Sequence, residues 1–308
     1  MKYGDKGARV RSAQTRLNEL GYDLGGSGVD GVLGEATWDA LRSFAVSQGL
    51  KWQPTVPDTV LAALAGFEAP PVAEWTQVGD YIPGVRVIDV REHLREPQEK
   101  ARVVGGKTVM RAPSTVTGIT LHQTAVEYHI TERLLLAAGG DLELAHALRV
   151  QRAACHLMAL QEGFVVWTRP LASFVHHGNA LNAPTIGIEI EGNYAGVAGN
   201  PRTAWSGSAY SGPVTERTIL AARKALLVAV TEGRRLGMPI EHLYAHRQSS
   251  GTRRNDPGEE IWKGVALDYG VKVLGLVVHP RAAFASPSTG KGRAIPIEWD
   301  PQSGVKNY

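Results

Sequence analysis

Pro70 and Pro71 divide this chain into two stretches whose apolar residues follow different periods. A diproline removes backbone donors and fixes φ, so regular secondary structure does not run through it. The segment GFEAPPVAEWTQVGD, 66–80, therefore reads as a linker. Before it, Val10, Ala13, Leu17 and Leu20 recur at helical spacing and stop at Gly21. A turn rich in Gly and Asp follows, from Gly25 to Gly34, and then an amphipathic run through Trp38, Leu41, Phe44 and Ala45. A short third helix, Thr59 to Leu64, starts behind Asp58, a favourable N-cap. Residues 1–65 thus predict a small three-helix domain.

Beyond the linker the pattern mixes short apolar strands with helices. Val116–Leu121, Phe164–Trp167, Ile186–Ile190 and Leu243–Ala245 read as strands, and Leu134–Leu160 and Arg217–Leu236 as helices. Such alternation predicts an α/β fold, with a mixed central β-sheet flanked by helices. It occupies 81–285. The tail, 286–308, is rich in Gly and Pro and reads as a loosely packed arm.

With 308 residues, 43% hydrophobic and 20% charged, the chain has the composition of a folded globular protein rather than a disordered one. Cys155 is the single cysteine, which excludes an intramolecular disulfide, and it reads as a buried helix residue. The opening MKYGDKGARVRSAQ lacks an apolar core, so no signal peptide is expected. No apolar run reaches membrane-spanning length, so no membrane insertion is expected. The net charge of +3 is too small to argue for nucleic acid, and no nucleic-acid motif is present.

The chemistry concentrates in AHRQSSGTRRNDPG, Ala245 to Gly258. This polar loop carries His246 and Asp256 and ends at a Pro-Gly. An imidazole and a carboxylate are two of the three protein ligands that a catalytic zinc site uses. His122, at the end of the apolar strand in GITLHQTA and just before Gln123-Thr124, is the candidate third. In TIGIEIEGN, alternation turns Ile186, Ile188 and Ile190 to one face and Gly187, Glu189 and Glu191 to the other. Alternation does not choose between the two carboxylates as a general base.

Two resemblances sharpen this reading. Gly4, Gly7, Val10, Gln14, Leu17, Gly21-Tyr22, Asp30-Gly31, Gly34, Thr37, Ala40-Leu41 and Phe44 resemble the peptidoglycan-binding type 1 module of cell-wall enzymes. The blocks GITLHQTA, HLMALQEGFVVWTRP, HHGN, TIGIEIEGN and AHR…NDPG, in that order over 117–258, resemble the type 2 N-acetylmuramoyl-L-alanine amidases. These zinc enzymes share a fold with peptidoglycan recognition proteins. The resemblance implies Zn2+ held by His122, His246 and Asp256, and it selects Glu189 as the residue that manages protons. Arg254 stands where many relatives have a lysine that stabilises the oxyanion. His176 falls where the family often has W-H-A-G and would line the substrate groove, although Val175 replaces the aromatic.

The implied activity is hydrolysis of the amide between N-acetylmuramic acid and L-alanine, with peptidoglycan as partner and a monomer expected. A wall-binding module ahead of such an amidase, without a signal peptide, resembles a bacteriolytic phage endolysin made in the cytoplasm and released by a holin. A bacterial remodelling or recycling amidase is the alternative. A non-catalytic receptor on the same fold is another, but such receptors typically lose a zinc ligand.

Overall fold

The computed structural model describes residues 1–19, 22, 24, 27–47, 55–66, 82, 84–93, 95–306 and 308. Leu20 and Gly21, where the first helix was expected to stop, and 67–80 of the expected linker lie outside the described residues. The chain forms two compact units, Met1–Arg86 and Val87–Tyr308.

In the first unit, α1 (Ala8–Glu19), α2 (Glu35–Ser47) and α3 (Asp58–Gly66) form the helices the periodicity predicts. Val10, Ala13 and Leu17 of α1 share a core with Leu41 and Phe44 of α2 and Val60 and Leu64 of α3. Gln14 clasps the turn between α1 and α2. Its side-chain oxygen accepts from Gly31 N at 2.6 Å, while its Nε2 lies within 3.0 Å of Asp30 Oδ1, Val32 O and Thr37 Oγ1. Gly31 has φ +80°, a conformation that disfavours a β-carbon. Gln14, Asp30, Gly31 and Thr37, which stand together in the sequence motif, therefore act as scaffold.

The second unit runs through β1 (Val87–Asp89), the hairpin β2 (Val103–Val104) and β3 (Lys107–Thr108), and β4 (Gly118–Gln123). Next come α4 (Glu132–Ala137), α5 (Leu142–Val150), β5 (Leu157–Ala159), β6 (Val165–Trp167) and β7 (Thr185–Ile190). Then follow α6 (Glu216–Arg235), β8 (His242–Ala245), α7 (Glu259–Ile261) with a π-helical continuation (Trp262–Val271), and β9 (Val277–Val278). The last pair is β10 (Ala285–Ser286) and β11 (Gly290–Lys291).

Seven strands form one sheet in the order β1-β6-β5-β7-β4-β8-β9. Every pairing is parallel except β5 with β6, so the sheet is mixed, as expected. Ile186, Ile188 and Ile190 are fully buried, each contributing roughly 1.5–3 kcal/mol of apolar transfer. Helix α6 covers that face. A β-carbon at its Gly233 would lie 2.9 Å from Ile240 and 3.6 Å from Ile186. Thr215 caps α6 by accepting from Thr218 N at 3.2 Å. The opposite face of β7 is thereby left for polar side chains.

Two local expectations are overturned. The stretch 134–160 is not one helix. Gly139 and Gly140, with φ +63° and +85°, end α4 and turn the chain into α5. Leu157–Ala159 then enters the sheet between β6 and β7, and all three residues are buried. A short apolar run suits a buried strand as well as a helix, and long-range pairing decided it. Cys155 is buried as expected but stands in the bend before β5.

The tail is not a loose arm either. Ile295 and Trp299 are fully buried. Trp299 Nε1 donates to Gly196 O, and the Arg247 guanidinium lies 4.7 Å from the Trp299 ring centre. Apolar burial and cation–π attraction together fix the segment against the polar loop.

Candidate metal centre and cleft

Three neighbouring strands deliver the chemistry at their carboxyl ends. Residues on β4 and β7 are in register, and His122 stands opposite Glu189. β8, on the other flank of β4, ends at Ala245, so the next residue, His246, leaves the sheet beside them. Sheets of this kind open their binding crevices at that edge.

The polar loop folds back to add Asp256. Gln123 holds it from β4: its backbone N donates to Asp256 Oδ1 at 2.9 Å, and its Nε2 donates to Tyr194 O at 3.2 Å and to Asn255 O. Buried Arg247 anchors the loop a second way, its backbone N donating to Asp256 O at 3.0 Å and its Nη1 to Arg254 O at 2.5 Å.

His122, His246 and Asp256 each present a ligand atom, and these atoms all lie within 4.8 Å of one another. Among the described residues no other group of three metal-ligating side chains comes together in this way. His246 Nδ1 lies 2.9 Å from Asp256 Oδ2. His122 is fully buried, and its Nδ1 has no hydrogen-bond partner. Glu189 Oε1 lies 3.9 Å from that nitrogen, and Glu189 Oε2 is a second orphan. Orphaned buried polar atoms ask for a ligand. Two imidazoles and one carboxylate, each with its remaining polar atom held or facing the cleft, fit a divalent metal.

Electrostatics agree with that fit. Burial, with His246, His177 and Arg253 nearby, pushes His122 well below the usual imidazole range and leaves it neutral. Burial first, and the Asp256 charge second, push Glu189 well above the usual carboxylate range, with Arg253 opposing. Burial beside Arg111 lowers His177 to about 3.

A cavity of about 360 Å³ opens over these groups. His176, His177, Asn179, Asn182, Glu189, His246, Ser250, Arg253, Asp256 and Thr289 are among its lining residues. Hydroxyls and amides (Asn179, Asn182, Ser250 and Thr289) alternate with imidazoles and charged groups around the wall, which suits a ligand rich in hydroxyls and peptide groups. Thr289 comes from the turn between β10 and β11, so the tail forms part of the cleft.

His176 is exposed and faces the cavity. Arg254 does not reach it: its Nη2 donates to Tyr308 O at 2.9 Å, and its guanidinium lies 5.7 Å from the Tyr308 ring centre. Its neighbour Arg253 lines the cavity instead. Consecutive residues of a tight turn point in different directions, which spacing alone did not reveal. Glu191, the other candidate carboxylate, is occupied elsewhere. It accepts from Tyr128 N at 2.7 Å and Gln161 N at 3.2 Å, and it pairs with Arg149 of α5 at 3.3 Å. His156 is also structural, accepting from Gly187 N at 2.9 Å and lying 3.0 Å from Ser173 O.

Sequence reading missed Arg253, His177 and Thr289. A signal existed for His177, because period-two alternation from apolar Val175 turns residue 177 inward and residue 176 outward.

Residues 112–259 match the N-acetylmuramoyl-L-alanine amidase family, and residues 6–53 match the peptidoglycan binding domain family. No curated protein sequence matches the chain. Among solved structures, the chain is similar to N-acetylmuramoyl-L-alanine amidase LysC from Clostridium intestinale, at 16% identity, covering 61% of this chain and 99% of that one, with a TM-score of 0.37. It is also similar to the Ph2119 endolysin from the Thermus scotoductus bacteriophage Ph2119, at 19% identity, covering 59% and 97%, with a TM-score of 0.34. Drosophila PGRP-LB is similar at 15% identity, covering 60% and 94%, with a TM-score of 0.37.

Proposed function

We propose that this chain, an N-acetylmuramoyl-L-alanine amidase family member by its residues 112–259, hydrolyses the amide joining N-acetylmuramic acid to L-alanine in peptidoglycan, with zinc as its metal. The observation that carries this reading is the convergence of His122, His246 and Asp256 beside Glu189 in one polar cleft. A complete ligand set favours an enzyme over a non-catalytic receptor. Zinc held by these residues would supply Lewis acidity toward a carbonyl oxygen and toward water.

The chain's own groups divide the remaining work. Glu189 accepts the proton of the attacking water and passes it to the leaving amine. Its raised affinity for a proton suits both halves of that task. Arg253 supplies a positive charge inside the cleft, where charge develops on the carbonyl oxygen. The neutral amides and hydroxyls of Asn179, Asn182, Ser250 and Thr289 orient sugar and peptide groups.

The segment 6–53 holds the enzyme on its polymer and raises its effective concentration there. A wall-binding segment ahead of an amidase supports the role of a phage endolysin. Among the described residues, no helix is long and apolar enough to cross a membrane.

Purified protein is expected to release soluble peptide from peptidoglycan sacculi. Chelator abolishes the release and added zinc restores it; release that continues in the chelated protein contradicts the reading. Arg253→Ala is expected to lower kcat by about a hundredfold, the scale of one lost oxyanion donor. Arg254→Ala keeps kcat within about threefold, since it loses surface contacts alone. Equal effects of the two substitutions on kcat would remove Arg253 from the assignment.

A further inference from the structure

Beside His122, in the wall of the cleft, two buried contacts run in line. His122 Nε2 lies 3.1 Å from His177 Nδ1, and His177 Nε2 lies 3.2 Å from Thr185 O. A carbonyl oxygen only accepts, so His177 Nε2 carries a hydrogen. A neutral imidazole protonated at Nε2 has a bare Nδ1, which also only accepts. The hydrogen between the two rings therefore belongs to His122 Nε2. This leaves the His122 lone pair on Nδ1, the orphaned nitrogen that stands 3.9 Å from Glu189 Oε1.

We propose that His177 is a positioning residue that locks His122 in its Nε2–H tautomer, so that the metal-binding lone pair always faces the cleft. The proposal rests on the reading of His122 as a metal ligand.

The surroundings are built for this task. His177 is 5% exposed. Gly187, two residues before Glu189 on β7, makes room for it, since a β-carbon there would lie 2.6 Å from His177 Cγ. Arg111 Nη1 donates to the same Thr185 O at 2.6 Å and fixes the far end of the line. The next imidazole, His156, has its Nδ1 occupied by Gly187 N and its Nε2 facing Ser173 O, so it offers His177 no competing partner. The line thus runs from backbone carbonyl to metal ligand through one ring. Groups that orient a ligating imidazole through its second nitrogen typically change metal affinity about 10–100-fold when lost.

The test reads the tautomer directly. In metal-free protein, nitrogen-15 spectra of the imidazoles are expected to show His122 as the Nε2–H form. In His177→Leu, which offers no acceptor, His122 becomes a mixture of tautomers, and zinc affinity measured by competition with a chromophoric chelator weakens about 10–100-fold. In His177→Asn, whose Oδ1 stands where Nδ1 stood, the Nε2–H form returns and zinc affinity recovers to within about threefold of the wild type. A wild-type His122 in the Nδ1–H form overturns the proposal even if the leucine variant does not fold. So does a folded His177→Leu that keeps both the tautomer and the zinc affinity. Wild-type protein that binds no zinc sinks the metal reading instead, and the tautomer of the metal-free chain still distinguishes that failure from this one.

Discussion

Asp256→Ala is expected to lose metal and hydrolysis together while the fold survives. The carboxylate is 4% exposed and does two jobs, accepting from Gln123 N and facing His246 Nδ1. Alanine leaves two ligands where three stood. It also strands the Gln123 N–H in a buried site, at a cost of about 1–3 kcal/mol. The loop itself is held by other bonds, from Arg247 N to Asp256 O and from Gln123 Nε2 to Asn255 O, and neither needs the side chain. The variant should therefore fold with a lower melting temperature. Zinc content by elemental analysis should fall from one equivalent to near zero. Turnover should fall by about a thousandfold or more, the scale set by several kcal/mol of lost charge stabilisation. An Asp256→Ala protein that retains one tightly bound zinc would remove Asp256 from the ligand set.

Glu189→Gln should separate the two properties that Asp256→Ala loses together. Glutamine keeps the shape and removes the carboxylate that takes up and releases the proton, so zinc stays while kcat falls by about 10²–10⁴-fold. The pH profile gives an independent reading. A base must be deprotonated to act, so kcat/KM should rise as pH climbs through the Glu189 pKa. Burial and Asp256 lift that pKa well above the ordinary carboxylate range. The rising limb should therefore lie to the alkaline side of an exposed glutamate's titration, and it should vanish in Glu189→Gln. Near-normal turnover in the variant, or an unchanged limb, would take Glu189 out of proton transfer.

What was legible in the sequence follows from the range of the forces involved. The strand ending at His122 and the helix α6 announced themselves through local period, because a sheet edge and an amphipathic face each repeat within a few residues. The fold class came with them. Alternation reduced the carboxylates to Glu189 and Glu191 but could not separate them. Arg149, forty-two positions before Glu191, occupies the latter. No local pattern carries that pairing. The strand Leu157–Ala159 was hidden for a similar reason, since three apolar residues become a strand only when β6 and β7 flank them. The tail looked loose because it is rich in glycine and proline. Its order comes from Trp299 reaching Gly196, more than one hundred residues away. Arg253 and Arg254 are adjacent and chemically identical, so only the turn that aims them tells the cleft cation from the surface one.

The most direct test of the account is the identity of the ends that the protein leaves in purified sacculi. Muramoyl-alanine amide hydrolysis creates free L-alanine amino termini and no new reducing sugars. Alanine amino termini should accumulate in step with loss of turbidity, with reducing ends flat and both signals silent in chelator. New reducing ends without alanine termini would mean that a glycosidic bond is cut, and would contradict the assignment of this cleft.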